Sequence, residues 1–337
     1  MNHKFPYKWN LKDGYPAKGI EKNNLNVFGT FICGGGSTMG YKLAGFNHLG
    51  GVEIDKKVSA VYKLNHNPKY LFTEDIRDFN KRTDLPDELY NLDILDGSPP
   101  CSTFSMAGSR EKAWGKEKQF REGQSFQTLD DLVFVYCDTI IKLQPKVFIL
   151  ENVKGIIQGN AKVYSKQIVD KMTKAGYTVQ VFCLNAASMG VPQKRERVFF
   201  IGHKKELNYP KLILEFNEKG IMFGEISDNN DVEQNLSELY LKYYDNAKEN
   251  KPVGKFMTNK KLCNKDTSFT LTGKNRHFYP TFKRRINNNE VNIIQTFPLD
   301  YNYNGIDHVY LCAMSVPPVM TAQISHQIYL QWLSTPK

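Results

Sequence analysis

A cysteine on a rigid turn is the residue of this chain best suited to covalent chemistry. Residues 92–96 (Leu-Asp-Ile-Leu-Asp) are typical of a buried strand, residues 97–100 read Gly-Ser-Pro-Pro, and Cys101 follows. The two prolines fix the backbone just before the thiol, and open α/β sheets bind ligands at the carboxyl ends of their strands. A nearby positive charge would supply the reactive thiolate. The sequence therefore predicts a nucleophilic Cys101, with a buried cysteine beside an ordinary proline turn as the alternative.

A carboxylate and two arginines could act beside this thiol. Glu151 follows the continuous apolar run 146–150, and Arg195 and Arg197 precede the apolar run 198–201. A partly buried carboxyl group can hold or donate a proton near neutral pH. Strand alternation sends both arginines to one face, where guanidinium groups suit phosphate or carbonyl oxygens. A capping Glu-Asn pair and a charged edge strand are the alternatives.

A glycine-rich turn near the amino end predicts a nucleotide-like ligand. Residues 31–37 (Phe-Ile-Cys-Gly-Gly-Gly-Ser) close the first apolar run and open a helical pattern. Consecutive glycines let a ligand approach the backbone, and the start of a helix favours a negative group. Glu53 ends the next strand, where an acid can bond ribose hydroxyls, and Asp75 could accept from an adenine amino group. These residues indicate an adenosine-containing cofactor; a tight turn with two solvated acids is the alternative.

The composition favours a polyanionic partner and a reducing compartment. The 337 residues carry a formal charge of +10, and an excess of positive charge attracts polyanions. The six cysteines show neither CxxC pairs nor zinc spacing, so we expect no metal. The first 26 residues lack the apolar core of a signal peptide, and the longest apolar runs are too short to span a bilayer. A cytoplasmic location, in a prokaryotic cell or a phage-infected host, and no membrane contact are therefore expected.

The first 200 residues alternate between strand-like and helix-like segments. Strands are predicted at 27–33, 50–54, 92–96, 146–151, 178–184 and 197–202. Helices are predicted at 37–46, 56–65, 125–143 and 161–175. This alternation predicts an α/β fold with a parallel sheet and helices on both faces.

The charge pattern changes after residue 202. Residues 203–245 carry nine acids and five Lys or Arg, whereas residues 246–285 carry two acids and eleven Lys or Arg. Such a swing is typical of a separate module with one basic part. We therefore predict one domain from 1–202 plus 281–337, and a second domain at 203–280.

These segments, in this order, resemble the DNA (cytosine-5) methyltransferase family, in its prokaryotic or phage form. The resemblance rests on residues 31–46, Glu53, Asp75-Ile76, 98–101, Glu151-Asn152-Val153, 191–197 and 285–298. It implies a Rossmann-like, S-adenosylmethionine-dependent methyltransferase sheet. A smaller, mostly irregular target-recognition domain at 203–280 would accompany it. The bound cofactor would be S-adenosyl-L-methionine without a metal, and the substrate double-stranded DNA.

The resemblance also assigns roles to single residues. The catalytic residues would be Cys101, Glu151, Arg195 and Arg197. The cofactor-binding residues would be Phe31, Ile32, Gly34, Gly35, Gly36, Ser37, Glu53, Ile54, Asp75, Ile76, Ser98, Pro100, Leu129 and Ser315. The DNA-binding residues would be Ser102, Arg110, Gln193, Lys260, Lys261, Lys274, Arg276 and Arg285.

The mechanism that the resemblance implies begins with a covalent adduct. Cys101 would add to C6 of a flipped-out cytosine, Glu151 would protonate or hydrogen-bond N3, and Arg197 would hold O2. Arg195 would support Arg197 or bind a phosphate, and the charged segment 102–123 would close over the base. A monomer is expected, with a restriction nuclease as a functional partner.

Two departures from the family pattern keep alternatives open. Cys33 stands where the family's loop has its first glycine, and Ala313-Met314 stand where Gly-Asn is usual. The second change removes a polar contact near the cofactor and would suit a non-catalytic DNA-binding paralogue. An RNA cytosine-5 methyltransferase is the other alternative, although that branch has Cys-Phe-Thr where residues 268–270 read Ser-Phe-Thr. A nicotinamide oxidoreductase would explain the glycines but not the Pro-Pro-Cys turn.

Overall fold

The strands supply the frame of the molecule. The computed structural model describes residues 3–100, 131–228, 237–253, 256–273 and 276–334. The strands are β1 (Asn26–Thr30), β2 (Asn47–Val52), β3 (Tyr70–Phe72), β4 (Ile94–Gly97), β5 (Val147–Val153), β6 (Tyr177–Asn185), β7 (Gln193–Lys194), β8 (Glu196–Lys204), β9 (Pro252–Val253), β10 (Phe256–Lys260) and β11 (Ser268–Phe269). Every strand predicted from the sequence is present, whereas β3 was not predicted because its three residues form too short an apolar run.

Seven of these strands form one sheet in the order β3-β2-β1-β4-β5-β8-β6. The first five strands of that order are parallel, but β8 runs antiparallel to both β5 and β6. The predicted parallel sheet is therefore confirmed for most of its strands, and β8, next to the edge strand β6, is the antiparallel exception within this sheet. Residues 186–195 join β6 to β8 and include the 3-10 turn Ala186–Met189 and the two-residue strand β7. A connection of this length cannot hold the crossover that parallel neighbours need, so the two strands pair antiparallel.

Helices cover both faces of the sheet. They are α1 (Gly36–Leu43), α2 (Lys56–His66), α3 (Ile76–Lys81), α4 (Leu132–Leu143), α5 (Lys162–Lys174), α6 (Phe223–Ile226), α7 (Glu238–Asn246), α8 (Asn288–Gln295), α9 (His308–Met314) and α10 (Pro318–Ile328). The helix predicted at 125–143 is α4, whose described part begins at Leu132. In the described ranges no helix is long and apolar enough to cross a membrane.

Alternate residues of the central strands bury against opposite layers. On β4, Ile94 belongs to the larger apolar cluster, which α1 and α10 cover, while Leu95 belongs to the cluster that α4 and α5 cover. On β5, Ile149 and Leu150 divide in the same way. This two-residue period fixes which face of the sheet each later side chain joins.

The region predicted as a second domain shares the main core. Leu212, Leu214 and Phe223 belong to the same apolar cluster as Ile94, and β11 pairs in parallel with β7. The remaining elements between residues 205 and 280 are short, with α7 and the β9–β10 pair as the most regular of them. These contacts join the first part of the region 203–280 to the core of the seven-stranded sheet. The domain boundary at residue 203 stays a prediction.

A buried ion pair joins the segment after β11 to helix α8. Arg284 Nη1 donates to Glu290 Oε2 at 2.8 Å and Arg284 Nη2 donates to Glu290 Oε1 at 2.9 Å. The two side chains are 2% and 0% exposed. The guanidinium also stacks on the ring of Tyr279, with Cζ 3.9 Å from the ring centroid. Removing either charge would leave the other buried without its partner.

We predict that Arg284→Ala lowers the free energy of unfolding by about 3–5 kcal/mol, the range for a broken buried pair. Lys283→Ala is the matched control, because Lys283 pairs with Asp245 at the surface, where both side chains are about half exposed. The control should cost at most about 1 kcal/mol. Urea unfolding of the two variants measures the difference, and equal losses would contradict it.

Candidate active site

An ion pair lies where β5 and β8 meet at the carboxyl edge of β4. Arg197 Nε donates to Glu151 Oε1 at 3.0 Å, and the two side chains are only 14% and 11% exposed. Arg197 Nη1 also donates to the carbonyl of Glu196 at 2.8 Å. Glu151 faces Phe199 across the strands, and Val153 faces Arg197. The structure therefore brings together two of the predicted catalytic side chains.

The proline turn leaves the sheet beside this pair. Gly97 of β4 lies opposite Leu150 of β5, so the next residues of the two strands are Ser98 and Glu151. Ser98 and Pro100 are partly buried, and Pro99 between them is buried. The predicted positions Cys101, Ser102, Arg110, Leu129 and Lys274 lie outside the described residues.

Arg195 does not lie where a phosphate could reach it. Its side chain is 3% exposed, and Nη2 donates to the carbonyls of Ala313 and Ser315, both at 3.1 Å. Burial, and then the charge of Arg197, lowers its pKa well below the usual value. The predicted phosphate contact is therefore replaced by a supporting role, in which Arg195 holds the α9–α10 connection against the sheet.

Gln193 is likewise an internal residue rather than a DNA contact. It is 0% exposed, and its side-chain amide donates to the carbonyl of Ile294 and to Gln295 Oε1 at 3.2 and 2.8 Å. Its Oε1 accepts from the backbone of Leu271 at 3.1 Å. Because a buried polar side chain needs partners, Gln193 serves to join β7 to α8 and to the segment after β11.

The glycine-rich turn has the backbone form that explains its composition. Cys33 has φ of 46° and Gly35 has φ of 74°, in the region that glycine adopts without strain. Glycine is thus the favoured residue at position 33, and the cysteine there is accommodated at a local cost. The Cys33 amide donates to Glu53 Oε2 at 3.0 Å, which ties the turn to the end of β2.

The three glycines that follow allow close packing. The carbonyl of Gly34 accepts from the Tyr301 hydroxyl at 2.6 Å. A Cβ atom added at Gly35 would lie 2.2 Å from His66 Nε2, and one added at Gly36 would lie 2.1 Å from the carbonyl oxygen of Val316. These glycines therefore bring the start of α1 against α2 and against the connection that Arg195 holds.

The residues predicted to meet an adenosine group line the ends of β2 and β3. Glu53 Oε1 accepts from the Asp55 amide at 2.9 Å, and the side chain of Ile54 beside it is 36% exposed. Asp75 caps α3 through the Arg77 amide at 2.8 Å. The exposed side chain of Ile54 could pack against the face of an adenine ring, while the carboxylates of Glu53 and Asp75 could bind the polar groups at the ends of an adenosine. No group of three or more His, Cys, Asp or Glu that could hold a metal occurs in the described part of the chain.

Phe31, Ile32 and Ser315, which are also predicted to bind the cofactor, all pack against other parts of the protein. Phe31 packs against the small apolar pair of Ile76 and Leu132, and Ile32 is buried. Ser315 is 3% exposed, its hydroxyl donates to Leu311 at 2.8 Å, and its carbonyl accepts from Arg195. Ser315 thus fixes the backbone at the position where the family's Gly-Asn is missing.

A family model described as C-5 cytosine-specific DNA methylase matches residues 25–329. The chain belongs to this family. The Type II methyltransferase M.FnuDI of Fusobacterium nucleatum is 34% identical over 188 residues, which are 55% of this chain and 48% of that relative. The Type II methyltransferase M.DdeI of Desulfomicrobium norvegicum is 33% identical over 218 residues, covering 64% of this chain and 48% of the relative.

The chain spans about half the length of the curated relatives it matches. Among solved structures, a prophage-encoded candidate DNA modification methyltransferase from E. coli superimposes with a TM-score of 0.71 at 19% identity. The superposition covers 91% of this chain and 99% of that one. This likeness shows the fold, and it agrees with the predicted Rossmann-like sheet.

Three of the basic residues predicted to bind DNA lie against aromatic rings. Lys260 Nζ is 3.6 Å from the centroid of Phe269, and Lys261 Nζ is 4.1 Å from that of Tyr244. Arg285 stacks on Tyr240, with Cζ 4.6 Å from the ring centroid. Each cation is thereby held in place by a ring.

Arg276 differs from these three. Its Nη2 donates to Asn288 Oδ1 at 2.7 Å and lies 3.3 Å from Asp307 Oδ2. The acid neutralises part of the charge that a phosphate would need. Arg276 therefore links its segment to α8 and α9, and as a DNA contact it has less support than the lysines.

Sequence reasoning missed one acid beneath the site. Asp96 is 6% exposed, and its Oδ1 accepts from the Tyr41 hydroxyl at 3.1 Å. It lines a small cavity together with Ser37 and Glu151. The signal was present in the sequence, because Asp96 is an acid inside a run that otherwise reads as a buried strand.

We predict that Gly36→Ala lowers the free energy of unfolding by about 1–3 kcal/mol, the usual cost of overpacking. The new methyl group would lie 2.1 Å from a backbone oxygen that cannot move aside. Gly273→Ala is the control, because a Cβ there meets no heavy atom within 4 Å, and its effect should stay within about 0.5 kcal/mol. Chemical denaturation measures both, and a neutral Gly36→Ala would refute the close packing.

Proposed function

We propose that the protein transfers a methyl group from S-adenosylmethionine to C5 of cytosine in double-stranded DNA. The observation that carries the proposal is the Glu151–Arg197 pair, 3.0 Å apart at the strand edge from which residues 98–100 leave the sheet. Family membership over residues 25–329 supports it. The relatives named above are Type II methyltransferases, which favours a sequence-specific modification enzyme.

The reaction needs an activated carbon, since C5 of cytosine is a poor nucleophile. Cys101 thiolate forms a bond to C6, and the electron pair of the C5–C6 double bond becomes available at C5. Negative charge passes to the base, and a proton at N3 neutralises it. Glu151 is the group that holds this proton at N3.

Arg197 has two tasks in this scheme. Its Nε fixes a Glu151 oxygen, so the carboxyl group is held in one orientation. The rest of the guanidinium fork can donate to the O2 oxygen of the base, where negative charge also develops. Arg195 does not contact the base in this scheme; it donates to the carbonyls of Ala313 and Ser315 and so holds that backbone in place.

S-adenosylmethionine, when bound, supplies the methyl group. Glu53 would accept from its ribose hydroxyls, Ile54 would pack against its adenine ring, and Asp75 would accept from the adenine amino group. The backbone of residues 34–36 would lie along its charged end. Glu53 already orders the turn by accepting from the Cys33 amide at 3.0 Å, so the residues present fit the cofactor.

The base must leave the duplex to meet these groups. A thiol, a carboxyl group and a guanidinium cannot surround a cytosine that is stacked in DNA, so base flipping is part of the proposal. Lys260, Lys261 and Arg285 would contact phosphates, and neighbouring side chains would read base edges. A restriction nuclease that cuts the same sequence would be the functional partner, and the protein would act as a monomer.

Glu151→Gln should reduce single-turnover methyl transfer by about 10²–10⁴-fold, the usual contribution of a general acid. Glutamine keeps the size of the side chain but cannot pass a proton to N3. The control is Glu196→Gln, whose carboxylate is 48% exposed and pairs with Lys154 at 2.8 Å; its rate should change less than about twofold, as for an ordinary surface position. Rapid-quench transfer of labelled methyl groups measures both rates, and similar rates for the two variants would contradict the assignment.

Changing both Lys260 and Lys261 to alanine should weaken DNA binding at all sequences and flatten its salt dependence. Each lost phosphate contact lowers the slope of log K against log salt by about 0.9, so we expect a change of about 1.8. Lys81→Ala is the control, because Lys81 pairs with Asp78 on α3. Fluorescence anisotropy over a range of salt concentrations measures the slopes, and an unchanged slope in the double variant would move the DNA face elsewhere.

The test of the function is methyl transfer from labelled S-adenosylmethionine to mixed DNA, followed by bisulfite sequencing. Label at C5 of cytosine within one short sequence is the expected result, and Cys101→Ser should bind DNA and cofactor without transferring label. Label on RNA alone would instead show that the protein is an RNA cytosine-5 methyltransferase. If the protein binds cofactor and DNA but transfers no methyl group to DNA or RNA, the remaining alternative is a non-catalytic DNA-binding paralogue.

A further inference from the structure

Two buried acids lie on the same face of the sheet at the bottom of the candidate active site. Asp96 is on β4 and Glu151 is on β5, and they are 6% and 8% exposed. Asp96 is opposite Ile149, so Glu151 is its diagonal neighbour two residues further along β5. Side chains in this diagonal relation can reach one another, directly or through one small molecule.

A cavity connects the two carboxyl groups. Its walls include Ser37, Tyr41, Asp96 and Glu151, with Phe199 and Val316 among the apolar residues that close it. It offers about 10 Å³ to the centre of a water molecule, which is room for one water. Polar groups around so small a space can exchange a proton across it.

Asp96 is a buried acid that accepts hydrogen bonds from two hydroxyl groups. The hydroxyls of Tyr41 and Ser37 donate to its carboxyl group, and Tyr41 is itself fully buried. The pKa of Asp96 is raised to about 7; burial is the main cause, the two hydroxyl donors oppose the rise, and the charge of Glu151 adds a smaller contribution to it.

The other titratable groups near the pair do not change this assignment. They are Tyr62 on α2 and Tyr136 on α4, whose pKa values burial raises, and two arginines that act on Glu151, Arg195 just before β8 and Arg197 on β8. Both tyrosines keep their protons near neutral pH. Arg197 pairs with Glu151, so the carboxylate of the pair is on Glu151 and the proton is on Asp96.

We propose that Asp96 and Glu151 work as one coupled pair, in which Asp96 stores the proton that Glu151 passes to N3 of the bound cytosine. This inference rests on the proposed function. As the thiolate adds to C6, the proton leaves an Asp96 oxygen, crosses the cavity to Glu151, and N3 takes a proton from Glu151. The pair then carries two negative charges and the adduct is neutral. After C5 has taken the methyl group, the adduct is a cation; N3 returns its proton to the pair, the C5 proton leaves to solvent, and the electron pair of the C5–H bond restores the C5–C6 double bond as the thiolate is expelled, so protons and charge balance.

The decisive test compares the wild type with Asp96→Asn. At each pH, the single-turnover rate of methyl transfer is measured for both proteins, and the ratio of the two rates is calculated. Without the stored proton, Glu151 must be protonated from solvent, so we expect about a tenfold deficit near pH 7, worth one pKa unit. The deficit should shrink below about twofold near pH 5.5, where solvent protons are abundant. A merely structural role of Asp96 would give the same ratio at every pH, and that result would overturn the proposal.

Two further variants sharpen this test. Asp93→Asn changes another buried acid next to β4, one that pairs with Lys146 away from the cavity, and should leave the rate ratio near one at every pH. Tyr41→Phe removes a hydrogen bond that favours the charged form of Asp96. It should therefore move the alkaline limb of the rate profile to higher pH, opposite to Asp96→Asn. A shift in the same direction as Asp96→Asn would contradict the stored proton.

Unfolding equilibria test the pair without any methyl transfer. A raised pKa means that the folded state binds the Asp96 proton more tightly than the unfolded chain does, so the contribution of Asp96 to the stability of the wild type, measured relative to Asp96→Asn, must fall as the pH rises from about 4 to about 7. This fall corresponds to a change of as much as about a thousandfold in the ratio of the two unfolding equilibrium constants. If that ratio is the same at every pH, Asp96 does not hold the proton, whatever reaction the protein performs. If it changes as expected but the rate ratio is constant with pH, the proton store fails while the proposed function stands.

Discussion

The guanidinium of Arg195 is the contact on which the geometry of the active site depends. A buried cation is costly unless its donors find acceptors. Nη2 of Arg195 donates to the carbonyls of residues 313 and 315, while its Nε and Nη1 are buried without a hydrogen-bond partner among the described residues. These carbonyls belong to the connection between α9 and α10, far along the chain from β8. Arg195 therefore fixes the last part of the chain against the catalytic sheet. Val316, held in this way, is the residue that Gly36 packs against.

The same contact explains how the two ligand regions are placed relative to each other. The start of α1 would bind the cofactor, and the edge of β5 and β8 would bind the base. Between them lies the connection after α9, which touches α1 through Gly36 and β8 through Arg195. A shift of this connection would move the glycine turn and the Glu151–Arg197 pair relative to each other. Methyl transfer needs the methyl group of the cofactor and C5 of the base within bonding distance of each other, so a rigid link between the two regions that would hold them serves the proposed reaction.

Much of this arrangement could be predicted from sequence, because the signals were local. Glu151 follows a continuous apolar strand, and the glycine turn joins a strand to a helix, so both could be placed at the carboxyl edge of the sheet. The antiparallel direction of β8 could also have been read from the short segment 186–195. The burial of Gln193 and Arg195 could not. Gln193 is a polar residue on β7 and Arg195 lies between β7 and β8, and only tertiary contacts with Leu271 and Ser315 decide that they point inward.

Asp96 and Glu151 show how neighbouring strands give the same functional group two different properties. Glu151 lies nearer the strand end and meets a guanidinium, whereas Asp96 lies deeper and meets only hydroxyl donors. A cation stabilises a carboxylate far better than a hydroxyl does in a medium of low dielectric constant. The deeper acid is therefore the one that keeps a proton near neutral pH. Sequence spacing alone suggests that a strand residue such as Asp96 is buried, but its charge state follows from which partners the neighbouring elements bring to it.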